Sequence, residues 1–157
     1  MAFVGFSGGA DSTALLLATQ LCGIPVTAVH FNHHLRGADA DADAQWCREF
    51  CEARNIPFIA VDLQVNQERL PGESLETAAR RLRLREWHNL TRDGGTPVFL
   101  AHHLDDCLEE LFLRLARGAN CSGLTGMKPM RRMADGTLLC RPLLKCRKSE
   151  LEDFLRE

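Results

Sequence analysis

Apolar positions fall into short runs broken by glycine or polar clusters, and these runs alternate with stretches whose leucines recur at helical spacing. Ala2 to Phe6 is an apolar run that stops at Ser7-Gly8-Gly9, as a buried parallel strand does on entering a turn. Thr13 to Cys22, with Leu15, Leu16, Leu17 and Leu21, predicts a helix closed by Gly23 and Pro25. Val26 to Phe31 reads as a second strand. A loop from Asn32 to Ala38 leads to a helix whose opening turn carries Asp39, Asp41 and Asp43, where negative charge suits the helix dipole. Trp46, Cys47 and Phe50 lie along one side of it, and Pro57 marks its end. Phe58 to Leu63 is a third strand, followed by a polar loop to Gly72 and a long helix from near Ser74 to about Thr91, closed by Asp93-Gly94-Gly95. Pro97 to Ala101 is a fourth strand and His102 to Asp105 a loop. Asp106 to Arg117 is expected as a helix with Leu108, Leu111, Phe112 and Leu115 at core spacing, stopped by Gly118. The last third is irregular around Gly123, Gly126, Pro129 and Gly136, then predicts a strand at Leu138 to Arg141 and a helix from about Lys148.

This alternation predicts an α/β fold: a doubly wound, mainly parallel, Rossmann-like sheet, in which ligands bind beyond the carboxyl ends of the strands. The polar clusters of the chain sit at such ends, which argues for one site.

A chain of 157 residues, 45% apolar and 25% charged, suits one domain with a buried core and excludes a disordered tail, a collagen-like rod and a repeat array. No apolar run approaches the roughly 20 residues of a membrane span. The N-terminus also lacks a secretion signal, so a cytoplasmic location is expected. Seven cysteines (Cys22, Cys47, Cys51, Cys107, Cys121, Cys140, Cys146) have no framework spacing, so no disulfide framework is expected. Cys47 and Cys51 read as half-buried apolar positions on one helix face rather than as metal ligands.

A net charge of −2 argues against a general nucleic-acid binder, but the distribution is uneven. Residues 1–79 carry 4 basic and 10 acidic side chains, and residues 80–157 carry 15 and 11. Arg114 to Lys148 holds nine basic residues and one acid, Asp135. That excess suits a polyphosphate backbone, or is simply a solvated basic surface.

The strongest chemical signal is Ser7-Gly8-Gly9-Ala10-Asp11-Ser12-Thr13, between the first strand and first helix. Two glycines let backbone N–H groups converge on an anion, serines add donors, and the helix N-terminus adds partial positive charge. The segment is neither a Walker loop nor a G-x-G-x-x-G fingerprint. An acid inside a phosphate cradle is self-defeating unless a cation intervenes, so Asp11 suggests Mg²⁺ held against a polyphosphate.

Ser-Gly-Gly-x-Asp-Ser resembles the pyrophosphate loop of the N-type ATP pyrophosphatases, which cleave ATP between the α and β phosphates. His30-Phe31-Asn32-His33-His34-Leu35-Arg36-Gly37 and His102-His103-Leu104-Asp105-Asp106-Cys107-Leu108-Glu109-Glu110 are similar to loops of the tRNA(Ile)-lysidine synthases. So are Ala79-Arg80-Arg81-Leu82-Arg83, Arg114-Leu115-Ala116-Arg117-Gly118, Gly123-Leu124-Thr125-Gly126-Met127 and Arg141-Pro142-Leu143-Leu144, which occur in that family's order.

The resemblance implies an adenine nucleotide alpha hydrolase-like fold, ATP and Mg²⁺ as cofactors, and free lysine and isoleucine tRNA as partners. It implies ATP contacts at Ser7, Gly8, Gly9, Ala10, Asp11, Ser12, His30, Asn32, His33 and Arg36, with Asp11 holding the metal. It places Asp11, Arg80, Arg83, His102, Asp105, Asp106 and Glu109 in catalysis and assigns lysine to Asp106 and Glu109. The basic stretch is expected to supply tRNA contacts at Arg114, Arg117, Lys128, Arg131 and Arg132.

Residue chemistry agrees in part. Asp106 and Glu109 lie three apart on a helix with Asp105 at the cap, a dense anionic group that needs cations nearby. His102, at a strand end, suits hydrogen bonding to phosphate or proton transfer near neutral pH. Arg80 and Arg83 share a helix face suited to phosphate, whereas Arg81 and Arg85 read as solvated.

The chain departs from the family at Leu84, where an aromatic residue is usual, at Cys107 and Glu110 in place of Gln and Thr, and at Ala119-Asn120 in place of Ser-Gly. Against that family the chain also reads as a catalytic domain over 1–157 truncated at both ends, without the C-terminal tRNA-binding domains. Three other readings stay open: a tRNA thiolase of the same superfamily, a metal-dependent phosphohydrolase built on His33, His34, His102, His103, Asp105 and Asp106, and a non-catalytic ATP-binding module. The oligomeric state, a homodimer included, is also open.

Overall fold

The computed structural model describes residues 1–34, 37–92, 95–118 and 126–156. Their strands are β1 (Ala2–Gly5), β2 (Val26–Asn32), β3 (Phe58–Asp62), β4 (Val98–Phe99), β5 (Met130–Arg132) and β6 (Leu138–Cys140). They form one sheet in the order β3-β2-β1-β4-β6-β5, parallel throughout except for the antiparallel β5–β6 pair. The helices are α1 (Ala10–Leu21), α2 (Ala38–Glu52), α3 (Val65–Glu68), α4 (Leu75–Thr91), α5 (Leu104–Ala116) and α6 (Lys148–Phe154).

β1 is central and buried on both faces, which is why its sequence is an unbroken apolar run. Ala2, Val4 and Phe6 pack with Leu15 and Leu16 of α1, Cys47 and Cys51 of α2, and Leu151 of α6. Phe3 packs on the opposite face with Val29, Val98, Leu139 and Trp87 of α4. Burial raises the Cys47 thiol to about 12 and the Cys51 thiol to about 11, so both act as apolar fillers. Among the described residues, no helix is long and apolar enough to cross a membrane.

Several expectations shift. Helix α1 begins at Ala10, with Gly9 as its N-cap, rather than at Thr13. The loop before Gly72 contains the single turn α3, and the irregular last third contains β5. Helix α5 begins two residues earlier than its apolar pattern suggests, because His103 caps it: the imidazole accepts the Asp106 N–H while the Asp106 carboxylate accepts the His103 N–H at 2.9 Å. Asp105 therefore lies in the first turn and not at the cap.

The expected core face of α5 is not a core face. Leu108, Phe112 and Leu115 are 47%, 67% and 48% exposed, and no residue of α5 is buried. The two sheet faces are already occupied by α1, α2 and α6 on one side and by α4 on the other. Periodicity marks which side of a helix is apolar without saying what covers it.

Candidate functional site

Strand β1 ends into a loop held by its own hydroxyls. Ser12 Oγ donates to the Gly9 carbonyl at 2.9 Å, Ser7 N–H donates to Ser12 Oγ at 3.2 Å, and Thr13 Oγ1 donates to Gly9 O at 3.0 Å. Gly8 has φ +84°, and a Cβ there would lie 3.1 Å from Cys47 Sγ and 3.3 Å from the Trp46 ring. Only glycine combines that backbone with that clearance. The loop delivers Asp11 to the first turn of α1, where its Oδ1 is buried with no hydrogen-bond partner and its Oδ2 lies 3.6 Å from His103 Nε2. One carboxylate oxygen left unpartnered beside a phosphate cradle fits Mg²⁺, which typically takes one or two carboxylates together with phosphate oxygens and water.

A cavity of about 920 Å³ opens over the carboxyl ends of β1, β2 and β4. β1 pairs with β2 on one side and β4 on the other, so this is where the direction of strand addition reverses, the usual crevice of an open α/β sheet. Ser7, Gly9, Asp11 and Ser12 form part of its lining, and His33 and His102 reach it from the ends of β2 and β4. Helix α4 contributes Arg80 and Arg83, while Arg81 turns away to bond both Glu73 oxygens and Arg85 pairs with Glu68 and Glu86. Arg114 of α5, Lys128, Arg131 and Arg132 complete the set of predicted residues on the cavity wall.

This cationic wall shapes the titration of its neighbours. Burial first, then Arg141, lowers His102 below the ordinary histidine value, and its Nδ1 is buried without a partner. Burial and then Arg83 lower His33 in the same way. Arg83 is itself lowered, by burial and by Arg80. The two imidazoles are thus held neutral near pH 7 inside a ring of guanidinium groups.

Other predicted residues go elsewhere. His30 is buried and its Nδ1 lies 2.9 Å from the Phe6 carbonyl; Asn32 donates to Asp41 Oδ1 at 3.0 Å and accepts the His34 N–H at 2.9 Å. Both brace the backbone beside the cavity instead of lining it. Asp105 accepts the Lys148 N–H at 2.8 Å, tying α5 to α6, and that bond holds its carboxyl below the usual range. Asp106 is engaged in the α5 cap, and Glu109 and Arg117 are exposed outside the cavity lining. Gly8 belongs to the phosphate loop and Ala10 opens α1, and neither lines the cavity. Arg36, Cys121, Asp93-Gly94, Ala119-Asn120 and Gly123-Leu124-Thr125 lie outside the described residues.

Three residues of this region were absent from the site implied by the family resemblance, His103 having entered only the phosphohydrolase reading. His103 is 4% exposed and lies 3.6 Å from carboxylate oxygens of each of Asp11, Asp105 and Asp106. Glu110 lines the cavity where Glu109 was expected, since a one-residue step turns a helical side chain by about 100°. Arg141 enters from the end of β6, and only its place beside Pro142-Leu143-Leu144 signalled it. Among the described residues no group of three or more His, Cys, Asp or Glu side chains is placed to hold a metal. The six residues of the phosphohydrolase reading do not converge as one, for His34 bonds Asp62 at 2.8 Å instead.

A family model described as a PP-loop domain matches residues 1–157. The chain belongs to the PP-loop family. Curated relatives of this PP-loop domain include a tRNA(Ile)-lysidine synthase from Porphyromonas gingivalis, 40% identical over 158 residues, which span 99% of this chain and 34% of the relative. Another, from Pseudomonas syringae pv. tomato, is 40% identical over 159 residues, 98% of this chain and 34% of the relative. The chain thus spans about a third of the length of these relatives. Among solved structures, the U34-tRNA thiolase NcsA from Methanococcus maripaludis with its 4Fe-4S cluster superposes with TM-score 0.77 at 17% identity, covering 99% of this chain and 56% of that one. That likeness shows the same fold.

Proposed function

We propose that this PP-loop domain is the ATP-using core of a tRNA modification ligase that joins lysine to the wobble cytidine of isoleucine tRNA. The observation that carries the reading is that the phosphate loop with its unpartnered Asp11 oxygen and the Arg- and Lys-rich wall face one cavity at the strand switch point. The 40% identity to enzymes named for lysidine synthesis supports the reaction class of this reading.

In this reading ATP adenylates the C2 oxygen of the cytidine with release of pyrophosphate, and the ε-amine of lysine then displaces AMP. Ser7, Gly9 and Ser12 cradle the departing pyrophosphate from the loop and the α1 N-terminus. Asp11 would hold Mg²⁺, which when bound neutralises phosphate charge. Arg80 and Arg83 stabilise negative charge from α4. His102 and His33, neutral before nucleotide arrives, accept protons as phosphate oxygens approach, because the added negative charge opposes the burial and the nearby arginines that depress them. Arg114, Lys128, Arg131 and Arg132 meet the RNA backbone. Asp106 and Glu109 lie outside the cavity lining, on the helix that lends Glu110 and Arg114 to it, and the family resemblance assigns them to lysine; in that role one of these carboxylates takes the proton that the ammonium must lose before it attacks.

The test is ATP breakdown by this chain and by a C-terminally extended version, with isoleucine tRNA and lysine each present or omitted, separating AMP from ADP. AMP and pyrophosphate formed only with that tRNA, with lysine incorporated into the RNA, is the expected result. Absence of AMP from both versions under every condition refutes the reading.

A further inference from the structure

Two polar atoms in the cavity wall have no role in the scheme above. Glu110 pairs through Oε1 with Arg114, but its Oε2 is buried with no hydrogen-bond partner. Arg141 donates through Nη1 to the Lys128 carbonyl at 3.0 Å, but its Nε–H is likewise buried without a partner. Both side chains line the same cavity, and each falls within the other's field: Glu110 opposes the lowering of the Arg141 guanidinium that burial and Arg131 impose. One is an acceptor and the other a donor, and each costs stability while unpaired.

The charge around them narrows the ligand. Among the described residues the cavity is lined by seven arginines and lysines against two carboxylates, Asp11 and Glu110. An ammonium ion brought to Glu110 would be repelled by that excess and would compete with Arg114. A neutral amino group would not. A nucleobase edge with an exocyclic amino donor beside a ring acceptor satisfies both atoms, and its own phosphates satisfy the surrounding cations. Cytosine presents such an edge, whereas uracil presents an acceptor where cytosine has its amino group. We infer that Glu110 and Arg141 form a base-reading pair that accepts the amino group and donates to the adjoining ring acceptor, selecting an amino-bearing base over a keto-bearing one. The inference rests on the nucleotide and tRNA reading of this cavity. It makes Glu110, where the resembling family has threonine, a specificity residue particular to this chain.

The experiment measures binding of the full chain to the anticodon stem-loop of isoleucine tRNA carrying cytosine, uracil or 4-desamino-pyrimidinone at the wobble position, by fluorescence anisotropy. A parallel arm compares ATP with the triphosphate of purine riboside, which lacks the amino group. Glu110→Gln is the test variant, since its amide offers both acceptor and donor and pairs with the exocyclic group of either base; Glu110→Thr is the second, and thermal melting verifies that both fold. The native chain is expected to prefer cytosine by roughly 10- to 100-fold, with the preference falling by about tenfold in Glu110→Gln, whose amide N–H meets the uracil carbonyl, but not vanishing, because the uracil ring N–H still opposes the Arg141 Nε–H. Loss of discrimination confined to the nucleotide arm places the adenine edge, rather than the RNA base, against the pair. Unchanged ratios in both arms overturn the inference, as does a Glu110→Gln chain that loses only its dependence on lysine, which would put an ammonium at Glu110. Failure of every RNA to bind, with ATP still bound, counts against the tRNA reading, and the nucleotide arm then decides the pair by itself.

Discussion

The adjacent glycines of the phosphate loop are expected to fail in different ways when each is replaced by alanine. At Gly8 the backbone has φ +84°, and a Cβ would meet Cys47 Sγ at 3.1 Å and the Trp46 ring at 3.3 Å. A left-handed conformation costs a non-glycine residue about 1–2 kcal/mol, and pressing a methyl into packed neighbours costs at least about 1 kcal/mol more. Gly8→Ala should therefore destabilise the fold by about 2–4 kcal/mol, or roughly 4–16 °C in Tm for a domain of this size. At Gly9 the backbone is extended, with φ −74° and ψ 161°, and the nearest atom to a new Cβ is Ser7 Oγ at 3.6 Å. Gly9→Ala should leave Tm within about 2 °C of the native chain. Its methyl would project where Gly9 lines the cavity, so nucleotide affinity should fall by about tenfold or more, as loss of close backbone approach to phosphate implies. Differential scanning calorimetry and calorimetric titration with ATP separate the two effects. Pairing Gly8→Ala with Cys47→Ala tests the cause, because removing Sγ relieves the contact but not the backbone strain, so the pair should cost less than the sum of the single changes. A Gly8→Ala chain as stable as native would refute the steric account of the loop, and a Gly9→Ala chain with undiminished ATP affinity would refute its placement against phosphate.

Asp11→Asn should fold normally yet abolish both the Mg²⁺ dependence of nucleotide binding and AMP formation; nucleotide titrations with and without Mg²⁺ read this directly. His102 and His33 both bind protons more weakly when folded than the ordinary histidine value of 6.5. They therefore contribute stability that is present above that value and lost as pH falls through their folded values. Urea denaturation from about pH 7 to about pH 5 should show falling stability, with a shallower slope in His102→Asn, and an identical slope would contradict the assignment. ATP binding near pH 6.5 should take up protons, measurable by titration in buffers of different ionisation enthalpy. Ser74→Ala removes the hydroxyl that accepts the Thr77 N–H at 3.1 Å at the start of α4, and should cost about 1 kcal/mol in urea denaturation.

Much of this molecule was legible because its signals are local. The β1 run, the glycine pair after it, the Ser74 cap and the arginines three apart on α4 each declare themselves within a few residues. What stayed hidden depends on distant partners. Strand β5 is exposed at all three positions and exists through pairing with β6, so it carries no alternating pattern to read. The expected role of α5 fails because Leu108, Phe112 and Leu115 have helical spacing but stay largely exposed, while the face that matters carries Glu110 and Arg114. His30 and Asn32 lie in the right segment, and only the fold reveals that their polar atoms are committed to Phe6, His34 and Asp41. Arg141 reaches the cavity only because β6 adds beside β4.

The central position of β1 also has a consequence for how the chain reaches this state during synthesis. β1 is synthesised before the other strands of the sheet and pairs with β2 after one short βα unit, yet its other edge waits for β4, where Phe3 meets Val98. Roughly 95 residues separate those partners, and at about 5–20 residues per second the delay is about 5–20 s. Through that interval an apolar strand destined for the middle of the sheet keeps one backbone edge open, and the crevice beside it, with the wall that faces the phosphate loop, does not yet exist. Competence to hold nucleotide is therefore a late acquisition, and the nascent chain is most exposed to mispairing and chaperone capture before residue 98 emerges.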